Sequence, residues 1–201
     1  VVRPDELSST PRPAQTQDGI QYLSDSSVLV SLFAPYKDFL YVLGDFNDWT
    51  PTADYLMHKE SHGPDSTWFW LEIDGLTPGH AYAFQYLVDG GLRIADPYSE
   101  LTLHPDDDPY IPSNVYPDIP AYPYGKTSFS VGVLQPGAEQ YNWNSTNYER
   151  PETKDLIIYE LLLRDFLEDH SYQTLIDTLD YLDRLGVTAI ELMPVIEFEG
   201  N

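Results

Sequence analysis

The 201-residue chain carries 33 acidic against 10 basic side chains, a formal charge of −23. A surface so negative repels phosphate backbones and anionic lipid headgroups, which argues against nucleic-acid binding and against adsorption to a membrane. With 42% hydrophobic residues, 14% aromatic residues and no cysteine, the chain has material for a packed core but none for disulfides, zinc-thiolate sites or thiol nucleophiles.

No run of about 18 apolar residues occurs, so no membrane-spanning segment is expected. The chain opens Val1-Val2-Arg3-Pro4 and closes Phe198-Glu199-Gly200-Asn201 directly after an apolar stretch, and it reads as a piece of something longer. Residues 1–20 are rich in Pro, Ser, Thr and Gln without periodicity and read as a linker or edge segment. Short strand-like runs follow: Ser27 to Phe33, then Phe39 to Leu43. Thr67 to Ile73 alternates, placing Trp68, Trp70 and Glu72 on one face and Phe69, Leu71 and Ile73 on the other. Tyr82 to Val88 likewise sets Tyr82, Phe84, Tyr86 and Val88 against Ala83, Gln85 and Leu87. Asp89-Gly90-Gly91 is a hairpin signal, with Leu92 to Ile94 as the return strand. Short strands punctuated by Gly, Pro and Asp predict a mostly β fold, an immunoglobulin-like antiparallel β-sandwich over residues 21–134. Its later part, residues 96–126, is proline-rich and predicts an extended connector, with a last strand near Phe129 to Leu134.

Residues 135–154 are polar and read as a linker, after which the pattern changes. Leu156 to Leu163 is nearly continuously apolar, as expected of a strand buried on both faces of a parallel sheet. Leu175, Ile176, Leu179, Leu182 and Leu185 fall at helical spacing after an N-cap candidate at Ser171, and Gly186 suits a left-handed C-terminal position. Val187 to Leu192 reads as a second buried strand, so residues 155–201 predict one right-handed βαβ unit.

The segment from Asp155-Leu156-Ile157-Ile158-Tyr159-Glu160 through Arg164-Asp165-Phe166 to Leu185-Gly186-Val187-Thr188-Ala189-Ile190-Glu191-Leu192-Met193-Pro194-Val195 resembles the opening of the (β/α)₈ barrel of glycoside hydrolase family 13, the α-amylase family. The last residues, Glu197-Phe198-Glu199-Gly200-Asn201, continue the likeness. Gly44-Asp45-Phe46-Asn47-Asp48-Trp49, Tyr86-Leu87-Val88-Asp89-Gly90 and Ala95-Asp96-Pro97 resemble the family-48 carbohydrate-binding sandwich that precedes the barrel in many of these enzymes. The resemblance implies a sandwich followed by an incomplete (β/α)₈ barrel start, in a fragment of an α-glucan-active enzyme. In the parent it implies a retaining mechanism, one carboxylate attacking the anomeric carbon and a second protonating the leaving oxygen about 5–5.5 Å away. The family places that pair on later barrel strands, so no catalytic residue is assigned here and the piece is expected to be inactive. Hydrolysis and transfer both stay open for the parent. A non-catalytic glucan-binding or scaffold protein is the competing reading.

For sugar binding, the resemblance implies a stacking tryptophan at Trp49 and an amide at Asn114. Gln85 stands where glucan-binding modules carry lysine, and Leu92 where they carry a second tryptophan. The partner implied is an α-glucan polysaccharide, beside self-association through the incomplete barrel. The expected location is secreted or cell-envelope, with the cytoplasm as the alternative. No cofactor is implied for this piece, calcium being an option for a complete parent. Other residues weigh toward structure: Glu191, Glu197 and Glu199 as loop support, Arg164-Asp165 as an ion pair, and Trp68 and Trp70 as packing. The run Asp106-Asp107-Asp108 reads as a solvated loop rather than a calcium site, the five histidines show no ligand spacing, and Asn144-Ser145-Thr146 matches the glycosylation pattern by chance.

Overall fold

A computed structural model describes Pro4 and residues 7–139, 141–145 and 147–193. The chain divides into two compact units, Val1–Tyr110 with Pro120–Gln140, and Ile111–Ile119 with Tyr141–Asn201.

The first unit is built from two antiparallel sheets. One runs β1 (Gly19–Ser24), β2 (Ser27–Phe33), β5 (Thr67–Ile73) and β4 (His58–Ser61) in that spatial order. The other centres on β6 (Tyr82–Val88), flanked on one side by β3 (Leu40–Gly44). On its other side β6 pairs with β9 (Val131–Leu134) at its start and β7 (Leu92–Ile94) at its end, and β8 (Thr102–Leu103) completes the row against β9. β5 shows why the sheets face each other. Phe69, Leu71 and Ile73 are buried, whereas Trp68 and Trp70 are half-buried and Glu72 is exposed. The three inward residues join Val28, Val30 and Leu32 of β2, and meet Leu40, Val42, Phe84, Tyr86 and Val88 from the opposite sheet in one cluster. Each of these large side chains contributes roughly 1.5–3 kcal/mol on burial. The β6–β7 hairpin turns at Asp89 (φ 49°) and Gly90 (φ 73°), the double positive φ of a type I′ turn.

The segment read as a linker or edge segment lies along the edge of the first sheet from Ser9 onward: Ser9 bridges Lys59, and Thr10 N–H donates to Lys59 O at 2.7 Å. The Arg12 guanidinium lies 4.4 Å from the Trp68 ring centroid, and Nε donates to Glu60 at 2.8 Å. Trp70 Nε1 also reaches Thr10 O at 3.2 Å. These partners lie some fifty to sixty residues away in sequence, out of reach of any local pattern. The edge strand β4 is polar and shows no apolar alternation, so nothing in its own sequence announces it.

In the second unit, β10 (Ile158–Leu161) pairs in parallel with β11 (Ala189–Leu192), connected through α1 (Leu163–Phe166) and α2 (Tyr172–Arg184). Ser171 caps α2, its hydroxyl accepting the Thr174 N–H at 3.1 Å. At the other end Gly186 takes φ 81°, and Val187 N–H returns to Leu182 O at 3.1 Å. Leu161, Leu175 and Leu182 form a small buried core. The expectation of strands buried on both faces is corrected here. Ile158, Ile176, Leu179, Leu185 and Leu192 are all exposed, because two strands and two helices cannot cover both faces of a sheet. Residues 194–201, including Glu197 and Glu199, lie outside the described residues, as does Thr146 of the Asn144 motif.

Phe69→Ala should cost about 3–5 kcal/mol of unfolding free energy through the cavity it leaves, whereas Glu72→Ala on the same strand should stay within about 0.5 kcal/mol. Urea unfolding of the two variants checks the inward and outward assignment.

Candidate functional site

Trp49 sits at the end of a tight excursion from β3. Gly44 leads into a 3₁₀ turn at Asp45–Asn47. Asn47 closes that turn, its Oδ1 accepting Gly44 N–H and its Nδ2 donating to Val42 O, both at 2.9 Å. Asp48 and Trp49 then adopt positive φ of 50° and 60°. One carboxylate fixes the outcome. Asp45 Oδ1 accepts the indole N–H of Trp49 at 3.0 Å while Oδ2 accepts Ala83 N–H of β6 at 2.8 Å. The indole is drawn inward, and Trp49 is only 7% exposed. Packing of Phe46 against Tyr55, with ring centroids 5.4 Å apart, holds the other side of the turn. Asp48 points outward and pairs with Lys126.

Of the three sequence-derived sugar contacts, Trp49 and Gln85 are both buried. Trp49 offers no open ring face, and stacking on it would require the turn to open. Gln85 is fully buried; its Oε1 accepts Arg93 Nη1 at 2.9 Å, and its Nε2 finds no hydrogen-bond partner among the described residues. Leu92, by contrast, is exposed. Asn114 is exposed in a turn of the other unit.

A second polar centre was not anticipated as a unit. Asp96 is 2% exposed, its Oδ2 accepting the Tyr86 hydroxyl at 2.6 Å and its Oδ1 accepting Tyr98 N–H at 2.7 Å. Burial raises its carboxyl above the ordinary range, against the pull of those two donors. Burial likewise raises the Tyr86 phenol, with the neighbouring Asp96 charge adding to it. The Asp residue of Ala95-Asp96-Pro97 was legible as part of the resemblance; its bridging role was not.

Trp68 packs on Phe33 at 4.8 Å and Trp70 on His58 at 4.5 Å. Arg164 Nε donates to Asp165 Oδ1 at 3.1 Å in an exposed pair. His104 Nδ1 approaches Asp107 Oδ2 at 2.7 Å, and burial raises the Asp108 carboxyl. Among the described residues no group of three or more His, Asp or Glu side chains is arranged to hold a metal ion. Glu191 is exposed and lies in register with Glu160 of the neighbouring strand.

No protein-family model matches the chain. Its sequence is 27% identical over 181 residues to a malto-oligosyltrehalose trehalohydrolase of Saccharolobus solfataricus, covering 89% of this chain and 26% of that protein. It is 28% identical over 177 residues to a 1,4-α-glucan branching enzyme of Leifsonia xyli, covering 83% of this chain and 20% of that enzyme. The chain is related to enzymes of the α-amylase family. Among solved structures, the catalytic module of the glycogen-degrading pneumococcal virulence factor SpuA superposes with a TM-score of 0.62 at 22% identity, over 92% of this chain and 27% of that one. The Group B Streptococcus pullulanase SAP, in complex with maltotetraose, gives 0.61 at 23% identity, over 92% and 24%. These likenesses extend through the sandwich into the second unit. The chain therefore spans about a quarter of the length of the relatives it matches.

Glu60 gives the sandwich a testable pH response. The backbone N–H of Arg12, then the Arg12 side chain and His62, hold its carboxyl down at about 2 against an ordinary 4.5, outweighing a smaller upward push from burial. Because the folded value lies below the unfolded one, this stabilisation is complete above about 4.5 and is lost as the pH falls through about 2. Glu60→Gln should lower stability by about 1–3 kcal/mol at pH 7, and the difference from wild type should shrink progressively below pH 4.5. Urea midpoints measured along a pH series check the sign.

Proposed function

We propose that this chain is the sandwich and barrel opening of an α-glucan-active enzyme working by the retaining chemistry of the α-amylase family. The carrying observation is the order of parts: an antiparallel sandwich followed by a parallel β-α-β unit, aligned over 89% and 83% of the chain with enzymes whose names specify malto-oligosaccharide or α-glucan chemistry. The sandwich is read as the immunoglobulin-like family-48 type and the second unit as the start of an incomplete (β/α)₈ barrel. The reacting carboxylates are assigned to strands beyond this stretch, so the 201 residues bind or brace and do not cleave. Parent activity covers cleavage or transfer at α-1,4 or α-1,6 bonds, in a secreted or cell-envelope enzyme. Among the described residues no helix is long and apolar enough to cross a membrane.

The test has two arms. The isolated chain should release no reducing ends from amylopectin above a blank, whereas the protein carrying it should turn over malto-oligosaccharides. Cleavage by the isolated chain contradicts the assignment of the carboxylates, and a parent inert toward every α-glucan contradicts the family chemistry.

Exposed apolar side chains on β10 and α2 also favour association between copies of the isolated chain. Sedimentation should show a dimer or larger species growing with concentration. A concentration-independent monomer overturns this part of the reading.

A further inference from the structure

The surface around Trp49 is closed, yet the sandwich carries an open groove elsewhere. About 400 Å³ in volume, it lies between β1, the segment Tyr98–Leu101 and the stretch following β9. That volume is within the range of small-ligand clefts, about 300–1,000 Å³. Two aromatic rings stand in it, Tyr22 at 51% exposure and Tyr98 at 55%.

Both tyrosines are exposed but tethered. Tyr22 lends its hydroxyl oxygen to the backbone N–H of Gln135 at 3.0 Å. Tyr98 is held through its own N–H by the buried Asp96 and packs on Gly19 so closely that an added Cβ there would lie 2.5 Å from Tyr98 Cβ. Neighbouring Ser99 presses in the same way on Gly132 of β9, leaving 2.2 Å to an added Cβ. Glycines from both sheets thus let this segment sink into the seam and form one wall of the groove. Rings fixed before binding lose little conformational freedom when a ligand arrives.

The same groove is also lined by residues with hydrogen-bonding side chains. Asp25 and Glu100 are among the residues lining the groove, and their carboxylates make no hydrogen bond or ion pair among the described residues. The Gln135 side chain also lines it, its Nε2 directed to Gly79 O at 2.8 Å. Aromatic faces suit the C–H face of a pyranose, and free carboxylate oxygens accept its hydroxyls. A net charge of −23 disfavours an anionic occupant.

We propose that this groove is a saccharide-binding site, separate from the Trp49 turn, which takes a short neutral stretch of α-glucan between Tyr22 and Tyr98. It rests on the α-glucan reading and adds to it a place of attachment.

The experiment is titration of the 201-residue chain with maltoheptaose, followed by amide chemical shifts. Shifts are expected at residues 20–25, 98–101 and 133–138. Tyr98→Ala should weaken binding about tenfold or more, a loss of about 1.4 kcal/mol or more, while Tyr98→Phe, which keeps the ring, should stay within about twofold. Should Tyr98→Ala fail to fold, Glu100→Gln at an exposed, unpaired position should still weaken binding severalfold. Shifts confined to the Trp49 turn overturn the groove and leave the glucan reading intact. No shifts at millimolar maltoheptaose also overturn it, the parent's turnover assay then deciding the glucan reading on its own. Salt-sensitive binding of oligolysine in the groove, without response to maltoheptaose, overturns it in favour of a cationic peptide.

Discussion

The sandwich depends on one buried carboxyl. Asp96 takes the Tyr86 hydroxyl from within the core and the Tyr98 N–H from the segment leaving β7, so a single side chain ties the central strand of one sheet to the chain that next crosses the seam. Burying it is unfavourable, and two short hydrogen bonds offset that cost. The crossing works only because Gly19 and Gly132 present no side chain where Tyr98 and Ser99 pass. Gly19 also carries φ 92°, a conformation that side-chain-bearing residues rarely adopt. This anchor sets the direction of the chain after Ile94, the wall of the open groove and the outward aim of Tyr98.

Local pattern disclosed the centre of the sandwich and missed its margins. β5 alternates because one face meets the core and the other meets partly open surface, and Thr67–Ile73 shows that alternation to the residue. β6 is harder, since Ala83, Gln85 and Leu87 are buried as fully as the core-facing set, yet its β-branched and aromatic content still marks a strand. β1 and β4 are edges made by pairing. His58, Lys59, Glu60 and Ser61 have no periodicity to read, and their place comes from backbone bonds to β5 and from the Arg12 clamp. In the second unit the helix caps were legible at Ser171 and Gly186 because capping is a local interaction. The exposure of Ile158 and Leu192 was not, since it reflects how few neighbours the described strands have.

The candidate site divides along the same line. Trp49 and Asn47 are marked by a recognisable turn, but residue type alone could not say whether the indole faces water or protein. The Asp45 carboxylate decides that by holding the Trp49 indole while accepting from Ala83, 38 residues further along the chain. Gln85 stands out in the sequence only through the resemblance, and the structure gives it a half-buried partner in Arg93. Tyr22 and Tyr98 carried no signal individually. One lies on an edge strand and the other in a proline-rich connector, and only the closed seam brings them to one groove.

The anchor is best tested by amide hydrogen exchange at Tyr98, comparing the wild-type chain with Asp96→Ala. Tyr98 N–H should be strongly protected in the wild type and should exchange at the rate of an open loop in the variant, with the Tyr86 hydroxyl proton lost from view in parallel. Rapid exchange at Tyr98 in the wild-type chain, or protection unchanged by Asp96→Ala, would show that the seam is held by something else.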